Sequence, residues 1–159
     1  MNSKSAFRKI REDHFAICSL EAEKGWVGIE PEHLSYGLYH YVVKGSAKFG
    51  VPFKEGYDLI KKGDFYCTKD KLYDAFMMEA VEDFYIIGFS TLDKEQDWAG
   101  MLVKDKIIKV KKESVLICLD GSPVVENQEM SVFDYGKLDP DEEYEVDTTD
   151  GVLAMFTKN

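Results

Sequence analysis

The sequence lacks the features that mark several large classes of protein. No apolar run approaches the ~18 residues that a membrane-spanning helix needs, and there is no Gly-rich phosphate loop, GxSxG or HExxH motif. Basic residues are scarce, with 20 Lys and Arg against 30 Asp and Glu, so the formal net charge is -10. Because phosphate groups repel such an acidic chain, we expect neither nucleic acid nor an anionic membrane surface as a partner.

Cysteine is also scarce. Cys18, Cys67 and Cys118 lie far apart without a CxxC pair, and each is flanked by apolar or aromatic residues. The odd number and the absence of a signal peptide favour a reduced, intracellular protein, and we expect a cytoplasmic location. The three thiols are therefore expected to be buried as small hydrophobic side chains.

Short apolar segments make up most of the chain. Apolar residues account for 45% and aromatic residues for 13% of the 159 positions, which is enough for a core in one domain or two very small ones. Segments such as GLYHYVVKG, AKFGVPF and DFYIIGFST are separated by clusters of Gly, Pro, Asp and Lys. Many short strands with frequent turns are typical of a β-sandwich or barrel.

The pattern changes near residue 91. The segment TLDKEQDWAGML offers Thr91 or Asp93 as an N-cap, followed by acidic residues, and it predicts a short linking helix over 91–105. Strand-like segments then resume. We therefore predict a barrel over 1–90, the linking helix, and a β segment over 106–159.

A weak internal repeat relates the two β regions. YHYVVKG resembles SVLICLDG, which pairs Gly45 with Gly121, and YDLIKKGDF resembles MSVFDYGKL, which pairs Gly63 with Gly136. Such a repeat predicts that 106–159 is a second, truncated copy of the barrel. Generic strand-turn-strand patterning, which would make this segment a set of extra strands, stays open as an alternative.

Glycine spacing in the first region resembles that of the cupin family. The first cupin motif runs glycine, five residues, His-x-His, three or four residues, Glu, six residues, glycine, and its spacing fits Gly25 to Gly45; the second motif begins at Gly63. The resemblance implies an all-β, cupin-like jelly-roll barrel. The linking helix and the C-terminal strands would be additions to it.

The resemblance also identifies the positions that bind metal in cupins. They correspond to Pro31, His33, Leu38 and Asp74 in this chain, and Pro31 and Leu38 have no side-chain donor. Because metal binding needs several converging donors, we expect no bound metal, no other cofactor and no catalytic residue. A displaced metal site built from His33, His40 and Asp74 stays open as an alternative.

Strand alternation then assigns the predicted lining of the barrel. In cupins the position of Leu38 faces the interior, so residues two and four further along face it too, and Tyr39 and Tyr41 face the other layer or a partner. The predicted ligand-binding residues are His33, Leu38, His40, Val42, Leu72, Asp74, Phe76 and Met78. This mainly apolar lining suits a small organic ligand, whereas a barrel filled by its own side chains is the competing interpretation.

These observations lead to one expected function and two alternatives. We expect a non-catalytic, cupin-like module that binds a small organic ligand or packs as a structural subunit. The alternatives are a metal-dependent cupin enzyme, such as an isomerase or dioxygenase with altered ligands, and a structural or decoration protein of a larger assembly. Since tyrosine is enriched at subunit contacts, we expect a homo-oligomer, with the face of residues 39–43 in the contact. The tyrosines that could line it are Tyr36, Tyr39, Tyr41, Tyr57 and Tyr66.

Overall fold

The computed structural model describes residues 5–31, 36–50, 56–67, 75–91 and 97–159. Every regular element in these ranges is a β-strand, and they contain no helix that could cross a membrane. The chain divides into an N-terminal unit, Met1–Glu95, and a C-terminal unit, Gln96–Asn159.

The N-terminal unit is a sandwich of two antiparallel sheets. Its strands are β1 (Ser5–Arg11), β2 (Phe15–Ala22), β3 (Val27–Pro31), β4 (Tyr36–Lys44), β5 (Ser46–Gly50), β6 (Tyr57–Lys61), β7 (Phe65–Cys67), β8 (Ala75–Ala80) and β9 (Phe84–Thr91). One sheet has the order β1-β2-β9-β4-β7 and the other β3-β8-β5-β6. Val42 and Ile86 from the first sheet and Phe49, Ile60 and Met78 from the second belong to one apolar core.

The C-terminal unit is built from eight strands. They are β10 (Trp98–Leu102), β11 (Ile107–Lys109), β12 (Ser114–Gly121), β13 (Val124–Val125), β14 (Gln128–Glu129), β15 (Tyr135–Leu138), β16 (Glu143–Asp147) and β17 (Gly151–Lys158). The sheet orders are β10-β17-β12-β15 and β11-β16-β13-β14. Leu116 and Leu153 from one sheet pack with Ile108 and Val146 from the other.

The strand order of the C-terminal unit repeats that of the N-terminal unit. When β1 is left out and β2 to β9 are replaced in chain order by β10 to β17, the two sheet orders of the first unit become those of the second. All eight strands of the repeat are present, so the C-terminal unit is shortened rather than truncated. β13 and β14 have two residues each, against five in β5 and β6.

The linking helix predicted for 91–105 is wrong in the described residues. Thr91 ends β9, and Trp98–Leu102 form β10, which pairs with β17. Burial along β10 follows the two-residue period of a strand, with Trp98 buried and its neighbour Ala99 exposed. Pairing with a long neighbouring strand therefore outweighs the local helix signals of this segment.

The internal repeat has a different register from the predicted one in its second half. The pair Gly45 and Gly121 is correct, since both glycines have positive φ, at 78° and 67°. The pair Gly63 and Gly136 is wrong. Gly63 N–H donates to the carbonyl of Val42, and the same bond in the C-terminal unit joins Phe133 N–H to the carbonyl of Cys118.

Two of the tyrosines proposed for a subunit contact lie largely inside the chain, whereas Tyr57 is exposed. Tyr41 is buried, with 6% of its surface exposed, and Tyr39 is half-buried and stacks on Phe65 with ring centroids 5.5 Å apart. They therefore offer little free surface to a second copy. The homo-oligomer stays a prediction, without support from this pair.

Candidate functional site

His40 lies at the centre of the candidate site. It belongs to β4, which runs between β9 and β7, and it pairs with Gly88 on one side and Tyr66 on the other. Side chains alternate along a strand, so His40 shares a face with Val42, a member of the core between the two sheets. The imidazole is 8% exposed, which is the inward position that the sequence predicted.

Aromatic side chains surround the imidazole. The ring of Phe49, on the opposite sheet, lies 5.4 Å from that of His40 between centroids. Phe49 also contacts Tyr66 edge to face, again with 5.4 Å between centroids. Met78 pairs with Phe49 across β5 and β8 and is buried in the same core. These contacts give the site walls of ring and thioether character.

Because Gly88 has no side chain, the His40 imidazole can occupy the space next to it. A Cβ atom added at this glycine would lie 3.3 Å from Nδ1 and 3.5 Å from Cε1 of His40. Even the smallest side chain would therefore press on the ring, and a longer one would displace it. The histidine and the glycine fit each other as a pair across β4 and β9.

Burial keeps His40 neutral. Removal from water lowers the pKa of its imidazole from 6.5 to about 4, because desolvation disfavours the charged form. Within the described part of the chain, Nε2 has no hydrogen-bond partner. A buried polar atom of this kind costs about 1–3 kcal/mol when nothing satisfies it. His40 thus offers one unused hydrogen bond inside an apolar enclosure.

An acidic group stands beside the rings. The Tyr66 hydroxyl donates a short hydrogen bond of 2.5 Å to the Asp58 carboxylate. Asp58 pairs with Phe49 across β5 and β6, so both residues lie on the inner face of their sheet. The carboxylate gives this part of the site a negative potential.

The three rings lie on strands β4, β5 and β7. Phe49 and Tyr66 each stand one position before the last residue of their strand, β5 and β7. His40 is the neighbour of Tyr39, which pairs with the last residue of β7. His40 itself is the central residue of β4, Tyr36–Lys44, and its partner Gly88 lies in the middle of β9, Phe84–Thr91.

The described structure brings together only part of the predicted ligand-binding set. His40, Val42 and Met78 are buried side chains of the N-terminal unit. Leu38 lies on β4 and Phe76 on β8, but their side chains are outside the description. The remaining predicted residues, His33, Leu72 and Asp74, lie outside the described residues.

Sequence reasoning missed four residues of the site, Phe49, Asp58, Tyr66 and Gly88. Gly88 and Tyr66 pair with His40 across β9 and β7, Phe49 faces it from the opposite sheet, and Asp58 is joined to the site by the Tyr66 hydroxyl. Alternation along β4 could assign a face to His40, but it carries no information on which residue of β9 or β7 stands opposite. The only available signal was the isolated glycine within the apolar run of β9, since such a glycine often marks a close approach.

Metal-ligand side chains do not converge in the described residues. No group of three or more His, Cys, Asp or Glu with metal-binding geometry occurs there. His40 by itself supplies one nitrogen donor, and its surroundings are aromatic. The displaced metal site of His33, His40 and Asp74 cannot be assessed from this geometry, because two of its members lie outside the described residues.

The fold and site place the chain among proteins with the cupin fold, an all-β architecture. No family model and no curated protein matches the sequence. Among solved structures, HutD from Pseudomonas fluorescens is 10% identical with a TM-score of 0.70, over 98% of this chain and 89% of that one. A variant of oxalate decarboxylase from Bacillus subtilis is 8% identical with a TM-score of 0.67, over 100% and 74%.

A third structure has a description that names the fold. A cupin 2 conserved barrel domain protein from Leptotrichia buccalis is 12% identical with a TM-score of 0.61, over 100% of this chain and 91% of that one. Likeness at this level of identity shows the fold alone. The expected cupin-like fold is thereby confirmed, and the activities of these proteins do not transfer with it.

Proposed function

We propose that the chain is a binding module in which the N-terminal unit holds a small organic ligand at His40. The observation that carries this proposal is the buried Nε2 atom without a hydrogen-bond partner among the described residues. Buried polar groups in folded proteins are almost always satisfied. A ligand that hydrogen-bonds to Nε2 would remove the cost of leaving this atom unpaired.

The C-terminal unit supports a role for His40 beyond packing. Leu116 pairs with Met155 and Gly136 at the strand positions where His40 pairs with Gly88 and Tyr66. The same strand order therefore forms with an aliphatic residue at this place. Since the fold does not require a histidine here, a binding role is a better explanation of its cost than a structural one.

The proposal can be tested by nuclear magnetic resonance on the full chain labelled with nitrogen-15. We expect single-ring organic fragments to shift the His40 Nε2 signal, and the variant His40→Leu, which introduces the residue found in the C-terminal unit, to lose their binding. If no fragment moves this signal, the interior is a filled core.

Elemental analysis separates this proposal from the metal-dependent alternative. We expect no stoichiometric iron, manganese, nickel or zinc in the purified protein after dialysis, because the described residues contain no group of three or more metal-binding side chains. One equivalent of such a metal, lost on replacing His40, would favour an enzyme with altered ligands instead.

A further inference from the structure

Strand β1 is an edge strand that the repeated fold does not require. It has no counterpart in the C-terminal unit, and every residue in it except Ile10 is exposed, so it adds little to the core. Each of the four described sheets has two edge strands, and β1 is the longest of them. It pairs with β2 from Ser5 to Arg11 without a bulge. A long, regular and exposed edge is a template for a further strand.

The residues of β1 make this edge complementary to itself. Phe7 is 61% exposed, the highest value among the large apolar side chains described. Two small residues, Ser5 and Ala6, precede it, and two long basic residues, Arg8 and Lys9, follow it. When two such strands pair antiparallel with Phe7 opposite Phe7, Arg8 stands opposite Ala6 and Lys9 opposite Ser5. Each basic side chain then faces a small one.

The basic residues select this register over its neighbours. In a symmetric antiparallel pair, one residue stands opposite its own copy. If that residue is Arg8 or Lys9, two like charges face each other directly, and if it is Ile10, Lys9 faces Arg11. Like charges directly opposite each other destabilise a strand pair. Of the registers centred on residues 7 to 10, only the one centred on Phe7 avoids them.

An acidic cavity lies beside the two small residues. Ser5 and Ala6 line it, and its volume is about 490 Å³. Its charged groups are three carboxylates and one ammonium, those of Glu21, Glu23, Asp83 and Lys44. Ala6 pairs with Glu21 across β1 and β2. Arg8 of a second copy, opposite Ala6, would therefore lie on the same face as Glu21, about 10 Å away between Cα atoms, which the two side chains can span together.

We propose that two copies of this chain pair antiparallel along β1, with Phe7 opposite Phe7 and Arg8 of each copy beside Glu21 of the other. The pairing joins two five-stranded sheets into one, and it is independent of ligand binding at His40. The net charge of -10 on each chain opposes association, whereas the charges at this edge favour it. Because a contact along one strand is at the small end of specific interfaces, the dimer is reversible and populated at about 100 µM.

Charge reversal in the full chain tests the register. Sedimentation velocity at about 100 µM and pH 7 should show a dimer for the parent. Arg8→Glu and Glu21→Lys should each raise the Kd of the dimer at least about tenfold, because each substitution sets like charges together twice in the dimer. An equimolar mixture of the two variants should dimerise again, since both contacts in the mixed dimer join opposite charges. Lys61→Glu, at an exposed position of β6 in the other sheet, is the control for net charge and should keep the parental Kd.

Cross-linking tests the position of the contact. Phe7→Cys should form a disulfide-linked dimer on mild oxidation, because residue 7 stands opposite its own copy within reach of a disulfide. The control is Lys9→Cys, whose two copies would lie about 14 Å apart. It should not exceed the background of the parent, which retains Cys18, Cys67 and Cys118 as free thiols.

Four results would overturn the inference. They are a parent that is monomeric at about 100 µM, an unchanged Kd in Arg8→Glu, a mixture of the two charge variants that stays monomeric, and cross-linking of Lys9→Cys as fast as that of Phe7→Cys. A failure of fragments to bind at His40 would remove the proposed function and leave this inference standing.

Discussion

The two units of this chain share the same order of eight strands, but different side chains form their interiors. In the N-terminal unit, the inner face of the fourth strand of the chain carries His40, paired with Gly88 and Tyr66. In the C-terminal unit, the equivalent strand carries Leu116, paired with Met155 and Gly136. The pair of His40 and Gly88 in the N-terminal unit thus corresponds to the pair of Leu116 and Met155 in the C-terminal unit.

The turns, in contrast, are the same in both units. Lys61 N–H donates to the carboxylate of Asp64 at 2.9 Å, and Ser131 N–H donates to the carboxylate of Asp134 at 2.8 Å. Gly45 and Gly121 both lie in tight turns where an added Cβ would collide with a backbone carbonyl oxygen, that of Asp83 or of Asp150. The turns define the fold, and the interior is free to change.

The comparison separates what the fold needs from what a site needs. Glycines with positive φ and turn carboxylates recur because the strand path requires them. His40 does not recur, and in an apolar interior it costs stability. Residues that differ between two copies of one framework, and that are unfavourable for packing, are the strongest candidates for function.

The largest effect is expected from moving the histidine to the other unit. Leu116→His should destabilise the chain by about 4 kcal/mol, because it removes a buried aliphatic side chain and leaves an imidazole facing Met155 without the space that a glycine provides. Unfolding in urea measures the loss. His40→Leu is the matched control and should change stability by less than about 1 kcal/mol, or increase it. An equal loss of stability in the two variants would contradict the claim that only the N-terminal unit has an interior suited to a histidine.

A smaller effect is expected from pH. The pKa of His40 is about 4 in the folded chain and 6.5 for the ordinary side chain, so the unfolded state binds more protons between these values. The titration of His40 therefore leaves the free energy of unfolding unchanged above pH 6.5. It lowers this free energy as the pH falls towards 4, by about 3 kcal/mol at most.

The pH effect is measured as a difference between two proteins, since carboxylates also titrate in acid. Urea unfolding between pH 7 and pH 4 should show a smaller loss of stability for His40→Leu than for the parent. The same variant thus tests the assignment of the loss to this histidine. Identical pH profiles would mean that His40 is solvated in the folded chain.

The smallest effect concerns the shared framework. Gly45→Ala and Gly121→Ala should each cost about 2 kcal/mol, because alanine is strained at positive φ and its Cβ meets a carbonyl oxygen. Gly63→Ala is the control: its φ is also positive, at 89°, but no atom lies within 4 Å of the added Cβ, so it should cost less. A large difference between the Gly45 and Gly121 variants would show that the two turns are not equivalent.

Features that depend on neighbouring residues could be predicted from the sequence, whereas features that depend on pairing between distant strands could not. Glycine spacing located the cupin-like strands, and alternation along β4 gave the correct face for His40. The register between β4 and β9 is a long-range property, so Gly88 was not recognised as the partner of His40. The counterpart of Gly63 was missed because Phe133 adopts a φ of 79°, a conformation usually associated with glycine.

The most direct test of the difference between the units is the titration of His40 itself. Two-dimensional nitrogen-15 to proton spectra of the imidazole, assigned with His40→Leu, report its charge and tautomer in the intact chain. The account predicts a neutral ring from pH 7 down to about 5, in line with the lowered pKa, and an Nε2 signal that moves when a single-ring organic fragment binds. An imidazole that becomes charged near pH 6.5, with an Nε2 signal that no such fragment moves, would contradict it.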